Sequence, residues 1–329
     1  MGYFDLPLEE LERYRPEVNA PADFDQVWSR TLAEARATPM TVTRTPADAR
    51  LRTVTVEDVR FPGFGGEPIA GWLVRPAGSV GRLPVVVSYN GYGGGRGLPF
   101  EHLFWASAGY AELFMDTRGQ GSAWGSGGDT PDPHGSEPAL PGFMTRGVLD
   151  FERYYYRRFF TDAVRAVDAV RSLDDIDPDR VVVAGASQGG GAALAVAGLV
   201  DGLAALITDV PFLCHIRRAV AISDTDPYGE IERYLAVHRD HTERVFATLD
   251  YVDGLHHAAR ATAPALFSTA LRDHICPPST VFAACHAYGG AAEIEVYEFN
   301  GHEGGQAYQA AAALMFIQDV VGVYPTPAS

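Results

Sequence analysis

The chain contains no lysine: all 26 of its basic residues are arginine, set against 42 aspartates and glutamates. The resulting formal charge of −16 excludes nucleic acid and anionic membrane as partners, because polyanions are bound through clustered positive charge. The missing lysine also removes the Gly-Lys-Ser/Thr ending of a phosphate loop, so the glycine-rich run Gly93 to Gly97 does not read as a nucleotide site. Cysteine is almost as scarce. Cys214, Cys276 and Cys285 are odd in number and lack metal-ligand spacing, which predicts free thiols in a reducing compartment and neither a disulfide framework nor a metal centre. No apolar run is long enough to cross a membrane. The first residues, Met1 to Pro7, lack a basic segment followed by an apolar one, so the expected location is cytoplasmic.

What is present reads as one α/β domain over residues 1–329, with hydrophobic residues at 47% supplying a large core. Residues 1–50 read as a helical extension, with Leu8, Leu11, Tyr14, Phe24, Val27, Trp28 and Leu32 recurring three or four apart. Strands are expected at Leu51 to Val59, Ile69 to Val74, Leu83 to Ser88, Tyr110 to Met115, Val181 to Ala184, Leu203 to Thr208, Ala265 to Ala270 and Ile294 to Phe299. Helical patterns between them imply a mostly parallel sheet. Residues 210–263 form a helical, cap-like insertion before the strand at 265. The Gly- and Pro-rich stretch from 119 to 147 is long for a loop, and such loops tend to carry function.

Chemistry enters at Gly185-Ala186-Ser187-Gln188-Gly189, between an apolar strand and a small-residue helix. This is the sequence form of a nucleophile elbow: the chain turns sharply at the serine, and its neighbours must be nearly free of side chains to let strand and helix approach. In the α/β-hydrolase fold an acid and then a histidine follow such a serine, each just past a strand. Asp273 follows the strand at 265–270 and His302 the strand at 294–299, which nominates Ser187, Asp273 and His302 as a catalytic triad. Asp209 is the competing acid at another strand end. His256 and His257 are weaker candidate bases, in a polar helical stretch where exposed histidines are common. His274 is too close to Asp273 in sequence to be its partner, and Glu303 reads as an anchor for the histidine loop.

An oxyanion hole in this arrangement takes the backbone N–H of the residue after the nucleophile, Gln188, and one from an earlier strand-end loop. Asn90-Gly91-Tyr92-Gly93 follows the strand at 83–88, and Tyr92 supplies the second amide.

These residues resemble the acetyl xylan esterase and cephalosporin-C deacetylase group, carbohydrate esterase family seven, along nearly the whole chain. The matching pieces are Asp5-Leu6-Pro7-Leu8, Asn90-Gly91-Tyr92, Arg118-Gly119-Gln120-Gly121, Tyr154-Tyr155-Tyr156-Arg157, Gly185 to Gly190, Cys276-Pro277-Pro278-Ser279-Thr280-Val281-Phe282 and Gly301-His302-Glu303. The resemblance implies an α/β-hydrolase fold, deacetylation of small acetylated sugars and of acetate esters such as cephalosporin C, no cofactor, and a ring-shaped homohexamer. It carries Ser187, Asp273 and His302 over as the triad, and Tyr92 and Gln188 as oxyanion donors. With the loop positions it also suggests Tyr92, Trp105, Trp124, Phe212 and Pro227 as substrate lining. Arg118 and Gln120 read as ties between loops beneath the site. The alternatives are a general short-chain carboxylesterase, a peptidase, and a noncatalytic binding protein that kept the hydrolase fold.

Overall fold

The computed structural model describes residues 4–134 and 141–322. In chain order its elements are α1 (Leu8–Leu11), α2 (Phe24–Arg36), β1 (Thr43–Pro46), β2 (Val54–Pro62), β3 (Pro68–Pro76), β4 (Leu83–Tyr89), α3 (Phe104–Ser107), β5 (Ala111–Met115), α4 (Tyr155–Arg171), β6 (Ile176–Ala186) and α5 (Gln188–Leu199). There follow β7 (Ala205–Asp209), α6 (Ile216–Ile222), α7 (Tyr228–Val237), α8 (Thr242–Leu249), α9 (Gly254–Ala258), β8 (Ala265–Ala270), α10 (Pro278–Ala287), β9 (Ala292–Tyr297) and α11 (Gln306–Val321). The strands form one sheet in the order β1-β2-β3-β5-β4-β6-β7-β8-β9. Pairing is antiparallel from β1 through β3 to β5 and parallel from β5 to β9. This is an α/β-hydrolase fold, in which strand ends and their loops converge along one edge of the sheet.

Two sequence expectations need correction. Residues 1–50 are not wholly helical: β1 joins the sheet edge, where its mostly exposed residues pair only with β2, too short and polar to show a period. The strand expected at 51–59 runs from Val54 to Pro62, because its pairing with β3 fixes the register. The apolar spacing in α2 does mark a buried face. Phe24, Val27, Trp28 and Leu32 enter the main core, and Trp28 Nε1 donates to the Tyr251 carbonyl at 2.8 Å. The extension is thereby fastened to the 210–263 insertion.

The two faces of the sheet are covered differently. Val85, Val87, Leu113, Val181, Val183 and Leu206 join the main core with residues of α2, α4 and α5. Val86, Val182, Ala184, Ile207 and Leu266 form a smaller cluster with Trp105 of α3 and Ala313 and Ile317 of α11. α5 lies so close to the sheet that side chains do not fit: a Cβ on Gly189 would fall 2.1 Å from the Tyr89 carbonyl oxygen.

Candidate active site

The site begins where β6 turns into α5. Ser187 has φ 55° and ψ −121°, a conformation that costs a non-glycine residue about 1–3 kcal/mol and persists only when its surroundings over-determine it. They do so here. The Ser187 amide donates to the Asp209 carbonyl, and its carbonyl accepts from Gly191 and Phe212, each at 2.9 Å. A Cβ on Gly185 would lie 2.3 Å from the Gly189 carbonyl carbon, so the flanking glycines are steric requirements of the turn.

His302 comes from the loop between β9 and α11. Its Nδ1 lies 2.8 Å from Asp273 Oδ2; a carboxylate only accepts, so Nδ1 carries the hydrogen and Nε2 is left as an acceptor. Asp273 is fully buried, and its other oxygen accepts the amides of Ile275 and Cys276 at 2.8 and 2.9 Å. Asp209 does not meet His302. Its Oδ1 accepts from Ser268 Oγ at 3.0 Å and Gln309 Nε2 at 2.7 Å, and burial pushes it up to about 6. His274 is exposed and stacks on Phe4, ring centres 4.0 Å apart.

The His256–His257 expectation is overturned. Both are buried rather than exposed, because α9 is wedged between α5 and α10. His257 packs edge-on against Phe24, Trp28 and Phe160, and burial drives it down to about 3. Glu303 accepts from Asn300 Nδ2 at 3.0 Å and from the Gly301 amide at 3.1 Å, so it anchors the histidine loop.

The Tyr92 and Gln188 amides donate to no acceptor among the described residues. One side chain, Gln120, ties the Tyr92–Gly93 peptide to the Gln188 side chain from behind. Gln120 Oε1 accepts the Gly93 amide at 2.6 Å, and Gln120 Nε2 donates to Gln188 Oε1 at 2.9 Å and to the Tyr155 hydroxyl at 2.9 Å. Gln188 Nε2 returns a bond to Gln120 Oε1 at 3.3 Å. From the front, Trp124 Nε1 donates to the Tyr92 carbonyl at 2.6 Å. The Tyr92 hydroxyl is occupied, donating to Glu230 Oε1 at 2.5 Å and accepting from the Phe143 amide at 2.6 Å. Arg118, buried, binds Asp162, Glu67 and Asp132, the loop tie expected of it.

Ser187 and His302 open onto a cavity of about 740 Å³ that is also bordered by Tyr92, Trp105, Trp124 and Pro227. Phe212 does not border it. Its amide is fixed on Ser187, but its ring is fully buried and lies 4.4 Å from the Tyr228 ring; the backbone bond turns the side chain into the core. Sequence reasoning passed over Cys276. Its buried thiol lies within hydrogen-bonding reach of Ser187, and burial, then Asp273, pushes it well above its usual value. Asp273, Cys276 and His302 bring ligand atoms within 4.8 Å of one another. A cation there would need the thiolate, which burial disfavours, and the His302 Nδ1 already committed to Asp273.

The sequence matches the acetyl xylan esterase (AXE1) family over residues 1–320. The acetyl xylan esterase of Paenibacillus sp. R4 is 40% identical, superposes with a TM-score of 0.90, and is matched over 96% of this chain and 100% of its own. Acetyl xylan esterase 1 of Thermoanaerobacterium sp. JW/SL YS485 is 30% identical with a TM-score of 0.87, over 96% and 99% of the two chains. The acetyl esterase Axe7A of Xylanibacter ruminicola is 28% identical over 305 residues, 88% of this chain, which spans 65% of that relative's length. By this match along the whole length, the chain belongs to the acetyl xylan esterase family.

Proposed function

We propose that this protein is a serine esterase that removes acetyl groups from small acetylated sugars such as xylo-oligosaccharides, and from related acetate esters of the cephalosporin C kind. The observation that carries this reading is the 2.8 Å bond between His302 Nδ1 and Asp273 Oδ2 beside a strained serine, at the mouth of a cavity. Ser187 attacks the acetyl carbonyl while His302 Nε2 takes its proton, and Asp273 stabilises the imidazolium. The amides of Tyr92 and Gln188 receive the oxyanion. His302 then protonates the leaving alcohol, and water repeats the sequence on the acetyl-enzyme. No step requires a cofactor. Trp105, Trp124 and Pro227 line the acyl and alcohol portions.

We also infer one catalytic domain assembled as a homohexamer in the cytoplasm. Three buried, unpaired thiols support a reducing compartment. Tyr308 and Met315 of α11, 85% and 62% exposed, support a surface covered by protein.

A serine-directed organophosphorus reagent should add one adduct, absent in Ser187→Ala. Below saturation, p-nitrophenyl acetate should be hydrolysed far faster than the octanoate. An unlabelled protein would be a noncatalytic binder, and equal rates on the two esters would make it a general carboxylesterase.

A further inference from the structure

The cavity continues past Ser187. Its lining runs along the α3/α11 face of the sheet, past Ala184 and Ile207, to Ser88 on β4 and Glu112 on β5. The register measures the depth: Glu112 pairs with Val86, while Gly185 pairs with Tyr89, three residues further along β4. The Glu112 carboxyl therefore sits about 10 Å along the strands from the start of the elbow. One polar pair floors this arm, with Ser88 Oγ donating to Glu112 Oε1 at 2.7 Å. Trp105, Phe114 and His102 wall it; the last two stack 3.8 Å apart, and His102 Nε2 is turned away onto the Arg96 carbonyl at 2.7 Å.

The charges lining the cavity are one-sided. Glu101, Glu112, Asp209 and Asp226 border it, and among the described residues no arginine does. Only Asp226 has an arginine beside it, Arg233 at 2.7 Å. Burial pushes Glu112 up to about 7, countered only by the Ser88 hydrogen bond. A buried carboxyl without a counter-charge is costly, and acyl transfer at Ser187 has no use for one this far away.

A carboxylate among aromatic ring faces is complementary to an organic cation, which pairs with the charge and is attracted by the ring quadrupoles. We propose that this arm is a subsite for a positively charged amine at the far end of the ester's alcohol, held by Glu112 and by the faces of Trp105 and Phe114. The proposal rests on the esterase reading and adds an order of preference: cationic alcohols before neutral ones, neutral before anionic ones. The chain's net charge of −16 favours the same order at long range.

The test is a series of acetylated ω-amino alcohols, from aminoethyl to aminodecyl acetate, each compared with the alkyl acetate of equal length at about pH 8, where a primary amine is charged and Glu112 is ionised. The ratio of kcat/KM, amine over alkyl, should stay near unity for short chains. It should rise on the order of tenfold once the chain reaches Glu112, and return to unity in Glu112→Gln. A ratio independent of length, or a rise that survives Glu112→Gln, overturns the subsite. If Glu112→Gln does not fold, Phe114→Leu replaces it, with a several-fold fall in the ratio expected and no fall counting against the proposal. Hydrolysis of none of these acetates would overturn the esterase reading instead; calorimetric binding of octylamine, wild type against variant, then decides the subsite alone.

Discussion

One face of the sheet is packed and the other is left partly open. On the packed face, 15 of the 17 residues of α4 are buried, and α5 is pressed onto the strands through glycine contacts. On the other face α3 is four residues long and α11 buries only Gln309, Ala313 and Ile317. The hydrogen bonds follow the same division. Gln120, Gln188, Tyr155 and Tyr156 form a continuous hydrogen-bonded chain under the loops, whereas Glu112 and Asp209 on the open side meet only neutral donors. A strained serine needs support that cannot yield from one side and room for substrate on the other. The asymmetry supplies both.

The two faces differ most in the carboxylates they hold. Asp273→Asn leaves His302 with the wrong tautomer and should lower kcat on the order of ten-thousand-fold, the size seen for the equivalent change in a serine protease. Asp209→Asn, on the open side, should change it less than about tenfold. Steady-state kinetics on both variants measure this, and the reverse ranking would move the acid to β7.

A smaller effect is expected behind the proposed oxyanion amides. Gln120→Ala frees the Gly93 amide and the Gln188 side chain, so kcat should fall on the order of a hundredfold while KM for p-nitrophenyl acetate holds. A KM that rises with kcat unaltered would assign Gln120 to substrate binding rather than to positioning.

The smallest effect concerns stability on the open face. Glu112 is raised from 4.5 to about 7 in the fold, so the folded protein keeps a proton that the unfolded chain releases across that window, and stability falls as pH rises through it. Glu112→Gln removes this loss. At about pH 8 the variant should be more stable by about 3 kcal/mol in urea unfolding, and the two proteins should coincide near pH 4. Equal midpoints at both pH values would mean that Glu112 titrates normally.

The strands beside the site and the loops that carry Ser187, Asp273 and His302 were legible in the sequence because each is local: an apolar run, a turn, a residue at a strand end. Trp124 and Gln120 stood out, but not what they hold, since their bonds cross 32 and 68 residues. Phe212 was misread because a loop aromatic near a serine looks the same whether its ring faces the cavity or the core. Glu112 gave no sign at all. Within Ala111-Glu112-Leu113-Phe114 it reads as the polar member of an alternating strand, and only the crossover order of β5 beside β4 brings it under the cavity.

Of the four tryptophans, Trp28 and Trp105 are buried and Trp72 is half-buried, while Trp124 is 53% exposed and bonded to the Tyr92 carbonyl. An indole so placed is an optical reporter bonded to the loop that carries one proposed oxyanion amide. Its fluorescence is the most open to a collisional quencher such as acrylamide, and a ligand entering the cavity shields it directly. Occupancy of the site is thus readable in the intrinsic emission of the unlabelled protein, without a chromogenic ester and in variants that no longer turn over.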